Sequence, residues 1–201
     1  MLPKEAAQMS DHGRVGVALG AHDGLGWKCH TTIEKWNVPD FHGNRAPYER
    51  VEVPGNLLTY GGADVLWGGI LKKLSTSSTK FQYFDSTAHA AILVGDSSAA
   101  AVNTQTDLQA SSGAAHRYVL NVDATYPKHT TGASTAANAQ IQFKATFTSS
   151  QGNFAWHEWG VGNKKSQAKA YPGRLLNRKV TALGTKTSAG VWALTVTLTL
   201  S

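Results

Sequence analysis

The stretch that decides the fold is Gly190 to Ser201, which reads G-V-W-A-L-T-V-T-L-T-L-S. Large apolar side chains alternate here with small or polar ones. One face carries Trp192, Leu194, Val196, Leu198 and Leu200, and the other carries Ala193, Thr195, Thr197 and Thr199. A period of two over about nine residues predicts a half-buried β-strand. Because a strand this apolar needs neighbours on both edges, we expect it to lie inside a sheet.

Further strand-like stretches precede this one at hairpin-like intervals. They are Lys80–Asp85, Ala88–Val94, His116–Asp123, Gln140–Thr148, Asn153–Asn163 and Leu175–Leu183. No helical crossover separates them, and short, evenly spaced strands favour antiparallel pairing. We therefore predict a mainly β fold, an antiparallel β-sandwich of about seven strands with one helix before the strands.

The predicted helix covers residues 56–74, at the start of a β-sandwich domain that spans 55–201. Apolar residues recur there at intervals of three and four, which is typical of a helix. They include Ala63, Leu66, Trp67 and Ile70. Asn56 or Thr59 is suited to cap its first turn. Glycine pairs at 61/62 and 68/69 destabilise a helix unless they allow the backbone to pack closely on the sheet.

Residues 1–54 differ from the rest, because proline and glycine interrupt them and alternation is short. They nevertheless carry four aromatic residues, Trp27, Trp36, Phe41 and Tyr48. Disordered chains are poor in aromatics, so these side chains are expected to bury against something. The segment either wraps its own domain or lies across a neighbouring subunit. A long irregular segment is unusual inside a compact domain, which favours an extended N-terminal arm whose aromatics are assembly contacts.

The composition narrows the classes of protein. The 201 residues contain one cysteine, which excludes an internal disulfide and a multi-cysteine zinc site. No apolar run approaches the roughly 18 residues of a membrane span, and the start does not resemble a secretory signal. Assembly in a cytoplasm is therefore expected.

The formal net charge is +6, and seven basic residues lie between Lys164 and Lys186 without an acid among them. Lys164 and Lys165 begin this segment and are candidate surface contacts. A basic cluster can bind nucleic acid or an acidic protein surface. However, a solvated basic loop and strand face is the favoured explanation, and interleaved aromatics are missing. Nucleic acid is thus a disfavoured partner.

The sequence W-H-E-W-G at 156–160 is the densest constellation. Trp156 and Trp159 are candidate ligand contacts that could stack on sugar rings. The favoured alternative is core packing, with Glu158 paired to an arginine such as Arg174 or Arg178, or to backbone amides. The histidines near the N-terminus match no metal signature. The G-D-S-S at 95–98 is best explained as a turn closing a strand. We predict no catalytic residues, no metal site and no cofactor.

Several phrases of residues 55–201 resemble small structural proteins of tailed bacteriophages. They are G-N-L-L-T-Y-G-G-A-D-V-L-W, A-I-L-V-G-D-S-S-A-A-A-V-N-T-Q-T-D-L-Q-A, D-A-T-Y-P, Q-I-Q-F-K-A-T-F-T-S-S-Q-G-N-F-A-W-H-E-W-G-V and the final L-L-N-R-K-V-T-A-L-G-T-K-T-S-A-G-V-W-A-L-T-V-T-L-T-L-S. The resemblance implies a β-rich, non-enzymatic virion protein of the tail, baseplate, fibre or adaptor region. It would form homo-oligomers and contact other virion proteins.

Three alternatives remain open at this stage. A capsid decoration protein would have the same fold but a higher copy number. A carbohydrate-binding module of a phage tail would contact host glycans through Trp156 and Trp159. A nucleic-acid binder would use the Lys164–Lys186 segment and show strong salt dependence.

Overall fold

The computed structural model describes residues 26–70, 83–84, 87–129, 139–163, 166, 168 and 171–200. The elements in chain order are β1 (Trp27–Asn37), α1 (Val38–His42), β2 (Glu49–Pro54), β3 (Leu57–Leu58), α2 (Tyr60–Ile70), β4 (Ala91–Gly95), β5 (Arg117–Asn121), β6 (Lys128–His129), β7 (Gln140–Phe147), β8 (Ala155–Gly162), β9 (Leu175–Thr185) and β10 (Gly190–Leu200). They form two five-stranded antiparallel sheets, ordered β2-β1-β10-β7-β6 and β3-β9-β8-β4-β5. The predicted fold class, mainly β with antiparallel sheets compatible with a sandwich, is confirmed.

Strand β10 lies at the centre of the first sheet, as its sequence predicts. It pairs with β1 along its whole length, from Trp27 opposite Leu200 to Asn37 opposite Gly190. Its other edge pairs with β7, where Trp192 faces Phe147. The face that begins with Trp192 joins the main core, while the threonines of the other face remain half-buried.

The second sheet is buried on both faces. All five residues of β4 are buried. Ile92 and Val94 pack into the main core between the sheets, whereas Ala91 and Leu93 pack outward. On that outer face they join a second cluster with Val119 and Leu175 of the same sheet and with Leu108 and Tyr171 from outside it. A third layer, formed by the irregular segment 96–116 and by residues near 171, therefore covers the second sheet.

The predicted N-terminal arm needs correction for its described part. Residues 27–54 are not an irregular arm, because β1 and β2 are two strands of the first sheet. The alternative in which this segment packs on its own domain is what the structure shows. The arm prediction for residues 1–25 concerns residues outside the described part. The described residues also contain ten strands rather than seven, and three of them precede helix α2.

Helix α2 begins later than predicted, at Tyr60, and its described part ends at Ile70; residues 71–74 lie outside the described part. Thr59 caps it, since its Oγ1 accepts a hydrogen bond of 3.1 Å from the Gly62 amide. The helix packs on β9 through Gly62. A Cβ at this position would lie 2.2 Å from the carbonyl oxygen of Leu176. The predicted close approach of a glycine to the sheet is therefore present at Gly62.

We predict that Gly62→Ala destabilises the fold, because the new methyl group collides with backbone that cannot move independently. Overpacking of this kind costs about 1–3 kcal/mol in the free energy of unfolding. Gly69→Ala is the matched control in the same helix, since its Cβ would meet nothing within 4 Å. Its better helix propensity should stabilise by up to about 1 kcal/mol. Urea unfolding followed by circular dichroism measures both, and equal effects of the two substitutions would contradict the packing.

Candidate functional site

The third layer is fixed to the second sheet by a fully buried ion pair between Arg178 of β9 and Glu158 of β8. Arg178 Nε and Nη2 lie 2.7 and 2.6 Å from Glu158 Oε2. The remaining donors reach the irregular segment: Nη1 donates to Ala100 O and Gln105 Oε1, and Nη2 to Ala99 O. Each of the three guanidinium nitrogens thus has an acceptor.

Glu158 completes the anchor from the opposite side. Its two carboxylate oxygens accept hydrogen bonds from the amides of Gln109 and Ala110, at 3.0 and 2.6 Å. Gly95 leaves room for this carboxylate, because a Cβ there would lie 2.7 Å from Glu158 Oε1. The prediction that Glu158 pairs with an arginine or with backbone amides is confirmed, and both kinds of partner are present.

A second buried pair holds the same layer. Arg117 of β5 is fully buried and forms two hydrogen bonds, 2.9 and 2.5 Å long, with the carboxylate of Asp107. Asp107 also accepts a hydrogen bond from the Tyr171 amide. Since a buried arginine is tolerated only when it is paired, both arginines fix the loop to the sheet through these carboxylates, although Arg117 Nε itself is buried without a hydrogen-bond partner.

The predicted ligand contacts Trp156 and Trp159 are wrong as surface residues, because both are completely buried. A β-bulge between Trp156 and Glu158 shifts the register of β8 against β9. Two residues that simple alternation places on opposite faces therefore both enter the main core. Trp156 lies edge-to-face with Trp192, and Trp159 Nε1 donates to Thr31 Oγ1. Neither indole can stack on a sugar ring.

The four basic residues of the cluster that the structure describes all contact other groups of the protein. Arg178 is buried, and Arg174 pairs with Asp64 at 3.1 Å. Lys179 Nζ donates to Pro54 O, and Lys186 Nζ donates to Thr148 O and Asn153 Oδ1. Lys164 and Lys165 lie outside the described residues, so their role as surface contacts stays a prediction.

Burial lowers the pKa of Lys186 to about 8. The neighbouring oxygens of Thr148 and Asn153, 2.7 and 2.8 Å from Nζ, keep the ammonium form bound at neutral pH. Lys186 thereby ties the start of the β9–β10 connection to the β7–β8 turn. Its place in the basic cluster is structural.

Three of the four predicted assembly contacts near the N-terminus pack on their own domain. Trp27 is half-buried against the main core. Trp36 and Phe41 form an edge-to-face pair with ring centroids 5.5 Å apart, and Trp36 Nε1 donates to Arg45 O. Tyr48 differs from them, since it is 57% exposed. Its role as an assembly contact stays a prediction.

In the described part of the chain, two surface pairs of a histidine and an acid bring together an imidazole and a carboxylate. His30 hydrogen-bonds Glu52 on the outer face of the first sheet, and His116 Nδ1 lies 2.6 Å from Asp96 Oδ2. Desolvation raises the pKa of Glu52, but hydrogen bonds from Arg50, His30 and Thr32 outweigh it and lower the pKa to about 2. Among the residues that the structure describes, no group of three or more His, Cys, Asp or Glu could hold a metal ion.

The single cysteine is part of the interior. Burial raises the pKa of the Cys29 thiol to about 11, although nearby hydrogen-bonding groups act in the opposite direction. Asn177 Nδ2 lies 3.9 Å from its sulfur. Cys29 is therefore a protonated core thiol at neutral pH. As for membrane contact, none of the helices in the described residues is both long and apolar enough to cross a bilayer.

The exposed apolar surface concentrates at helix α2. Tyr60 and Trp67, one heptad apart on the same side of the helix, are 63% and 56% exposed. The Tyr60 amide donates to Asn103 O, which places the exposed Val102 beside Tyr60. Leu57, the fourth exposed apolar residue of this region, directly precedes the helix. We call Leu57, Tyr60, Trp67 and Val102 the α2 face.

A groove of about 470 Å³ adjoins the α2 face. It is lined by Gly55, Asn56, Leu57, Ala100, Ala101, Arg178, Lys179 and Val180. Leu57 belongs to both the groove and the face, and the small Ala100 and Ala101 keep the groove open. Because the donors of Arg178 are occupied, the groove offers small apolar groups, the Lys179 side chain and the amide of Asn56, whose side-chain atoms are buried without a hydrogen-bond partner.

The α2 face was not predicted from the sequence. Trp67 belongs to the apolar recurrence that predicted the helix, yet it is exposed, and the structure buries Gly62 and Val65 instead. The available signal was the spacing of Tyr60 and Trp67, which a seven-residue interval puts on one face. Periodicity of large apolar residues misled the prediction, because the side that contacts the sheet is built from glycine.

The chain was compared with protein-family models, with curated proteins and with solved structures, and none of the three comparisons found a match. Its function is therefore inferred from the buried network, the groove and the α2 face.

We predict that Glu158→Gln destabilises the fold by about 3–5 kcal/mol, because it leaves the buried Arg178 charge uncompensated. Asp40→Asn is the matched control. It removes the acid of an ion pair whose arginine, Arg45, is exposed, and such pairs contribute about 0–1 kcal/mol. Denaturant unfolding gives both values. An effect of Glu158→Gln as small as that of the control would contradict the anchoring role.

The depressed pKa of Lys186 predicts a specific pH dependence. Between about 8 and the unfolded value of about 10.4, the unfolded chain binds more protons than the native one, so this group's contribution to stability rises with pH. The contribution is complete above the unfolded pKa and is lost as pH falls through about 8. The free energy of unfolding of the wild type minus that of Lys186→Met should therefore rise across this window. The exposed Lys28→Met is the control, and a flat difference for Lys186→Met would contradict the shift.

Proposed function

We propose that this chain is a non-enzymatic structural subunit of a tailed-bacteriophage virion, present in several copies in the tail, baseplate, fibre or adaptor region. The observation that supports the proposal is that the distinctive phrases of the resemblance meet in one buried network. Glu158 comes from W-H-E-W-G, Arg178 from L-L-N-R, and Gln105 with Asp107 from Q-T-D-L. These residues are bonded to each other or to the same loop.

The network that joins these residues gives the sequence phrases a structural role. Residues separated by up to 79 positions are joined by hydrogen bonds that fix an irregular loop on a sheet. A shared pattern of this kind belongs to a shared scaffold, since Glu158, Arg178 and Asp107 are buried and bonded to groups of the protein itself. A scaffold role agrees with a virion component, because such a subunit functions through its shape and its contact surfaces.

The exposed surface supports the same proposal. Isolated apolar side chains on a surface are ordinary, but the α2 face gathers two aromatic and two aliphatic residues in one region. Such patches mark sites of protein–protein contact. Aromatic residues are enriched at the centres of interfaces, where they contribute most of the binding energy. A subunit that contacts itself or other virion proteins requires a surface of this kind.

Quantitative mass spectrometry of purified particles tests the proposal. Particles banded on a density gradient, from the phage or lysogen that encodes the chain, should contain it at a constant ratio to the tail and capsid proteins. A ratio near that of the tail components supports the proposed location, whereas a ratio near that of the major capsid protein favours capsid decoration instead. If the chain is present in the lysate but missing from the particles, the proposal is wrong.

A further inference from the structure

We propose that the α2 face and its groove bind a second copy of this chain about a two-fold axis that passes between Asp64 and Arg174. The inference deepens the proposed function and rests on it, since it names the surface through which the subunits would contact each other. Three features of the face favour a second copy as the partner. They are the distribution of its charges, the spacing of its aromatics and the presence of both a protruding side chain and a groove.

The positions of Asp64 and Arg174 suit contact between two copies related by a two-fold axis. Asp64 Oδ2 and Arg174 Nη2 are 3.1 Å apart on the α2 side of the molecule, and the Asp64 side chain is 64% exposed. Asp64 lies in the same helical stripe as Tyr60 and Trp67, between them. Rotation by 180° about an axis through this ion pair places each carboxylate against the guanidinium of the other copy. Opposite charges then face each other twice, which is the requirement for a self-complementary contact.

The aromatics have a matching arrangement. At a rise of 1.5 Å per residue, Tyr60 and Trp67 are about 10 Å apart along the helix, on either side of Asp64. Two antiparallel α2 helices centred on Asp64 bring Trp67 of one copy to the Tyr60 end of the other. At that end lie Val102, Leu57 and the groove.

The groove completes the fit, because it can receive a large side chain. It is an open depression, and Leu57, Ala100 and Val180 offer apolar walls against which an indole can pack. Lys179, which also lines it, provides a cation for contact with an aromatic ring. Each copy thus presents one exposed indole and one groove, and a two-fold arrangement fills both grooves at once.

The contact should be concentration dependent. Four apolar side chains and one ion pair per copy are fewer than the roughly 20–30 residues a side of a standard-sized interface. Inside a particle, neighbouring contacts hold the subunits together and raise their effective concentration.

Sedimentation equilibrium of the full chain over a wide concentration range tests the inference. The wild type should shift from monomer toward dimer as concentration rises. Trp67→Ser should raise the dissociation constant at least tenfold, because it removes the side chain that enters the groove. Tyr83→Ser is the matched control, since it removes an exposed aromatic that does not belong to the α2 face, and it should leave the constant unchanged. Circular dichroism verifies that each variant is folded.

Charge reversal provides an independent arm. Asp64→Arg places arginines against one another within and between copies, so it should weaken association. Combining it with Arg174→Asp restores both sets of opposite charges and should recover the wild-type constant. A wild type that stays monomeric at every concentration overturns the inference. Association that both Trp67→Ser and Asp64→Arg leave intact also overturns it, since residues 1–25 or another surface would then be responsible.

The two proposals fail separately. A chain that is found in particles but does not self-associate through the α2 face overturns only this inference. A chain that dimerises through the α2 face but is missing from particles overturns only the virion assignment.

Discussion

The buried pairing of Arg178 with Glu158 is the interaction on which the outer part of the molecule depends. Two ionised groups removed from water destabilise a fold unless each is fully bonded, and here every guanidinium nitrogen of the arginine has an acceptor. The pair joins two adjacent strands and holds the loop around residues 99–110 against them. The loop needs no regular secondary structure because side chains satisfy its backbone groups.

This use of polar groups in the interior leaves the exposed surface to other kinds of contact. The ion pair of Arg117 with Asp107 likewise holds a loop to a sheet. Lys186 does the same through its hydrogen bond to Thr148 O. Helix α2 shows the converse arrangement. Its glycine faces the sheet, so that the helix backbone lies close to β9, and its aromatic residues face outward. A helix built in this way is firmly seated and still offers apolar surface to a partner.

The open side of the sandwich is closed by lysines. Lys35 points into the space between the sheets, where its Nζ lies 4.5 Å from the centre of the Trp192 ring and donates to Leu183 O. Lys179 crosses in the opposite direction to Pro54 O. These bonds occupy carbonyl groups near the edges of β9 and β2, where free groups would otherwise invite pairing with another chain.

The sequence by itself determined the elements whose pattern is local. Strict alternation identified β10 as a central strand, Thr59 was recognisable as a cap, and the pairing of Glu158 with an arginine followed from the poor tolerance of a core for a lone charge. Only the tertiary structure decided that residues 27–54 contain two strands of the first sheet. Strand β1 turns Thr31 and Lys35 inward, and their hydrogen-bond partners, Trp159 Nε1 and Leu183 O, are distant in sequence. The bulge of β8 and the buried side of α2 were also decided there. Both depend on how distant strands register and pack, and no local period encodes that.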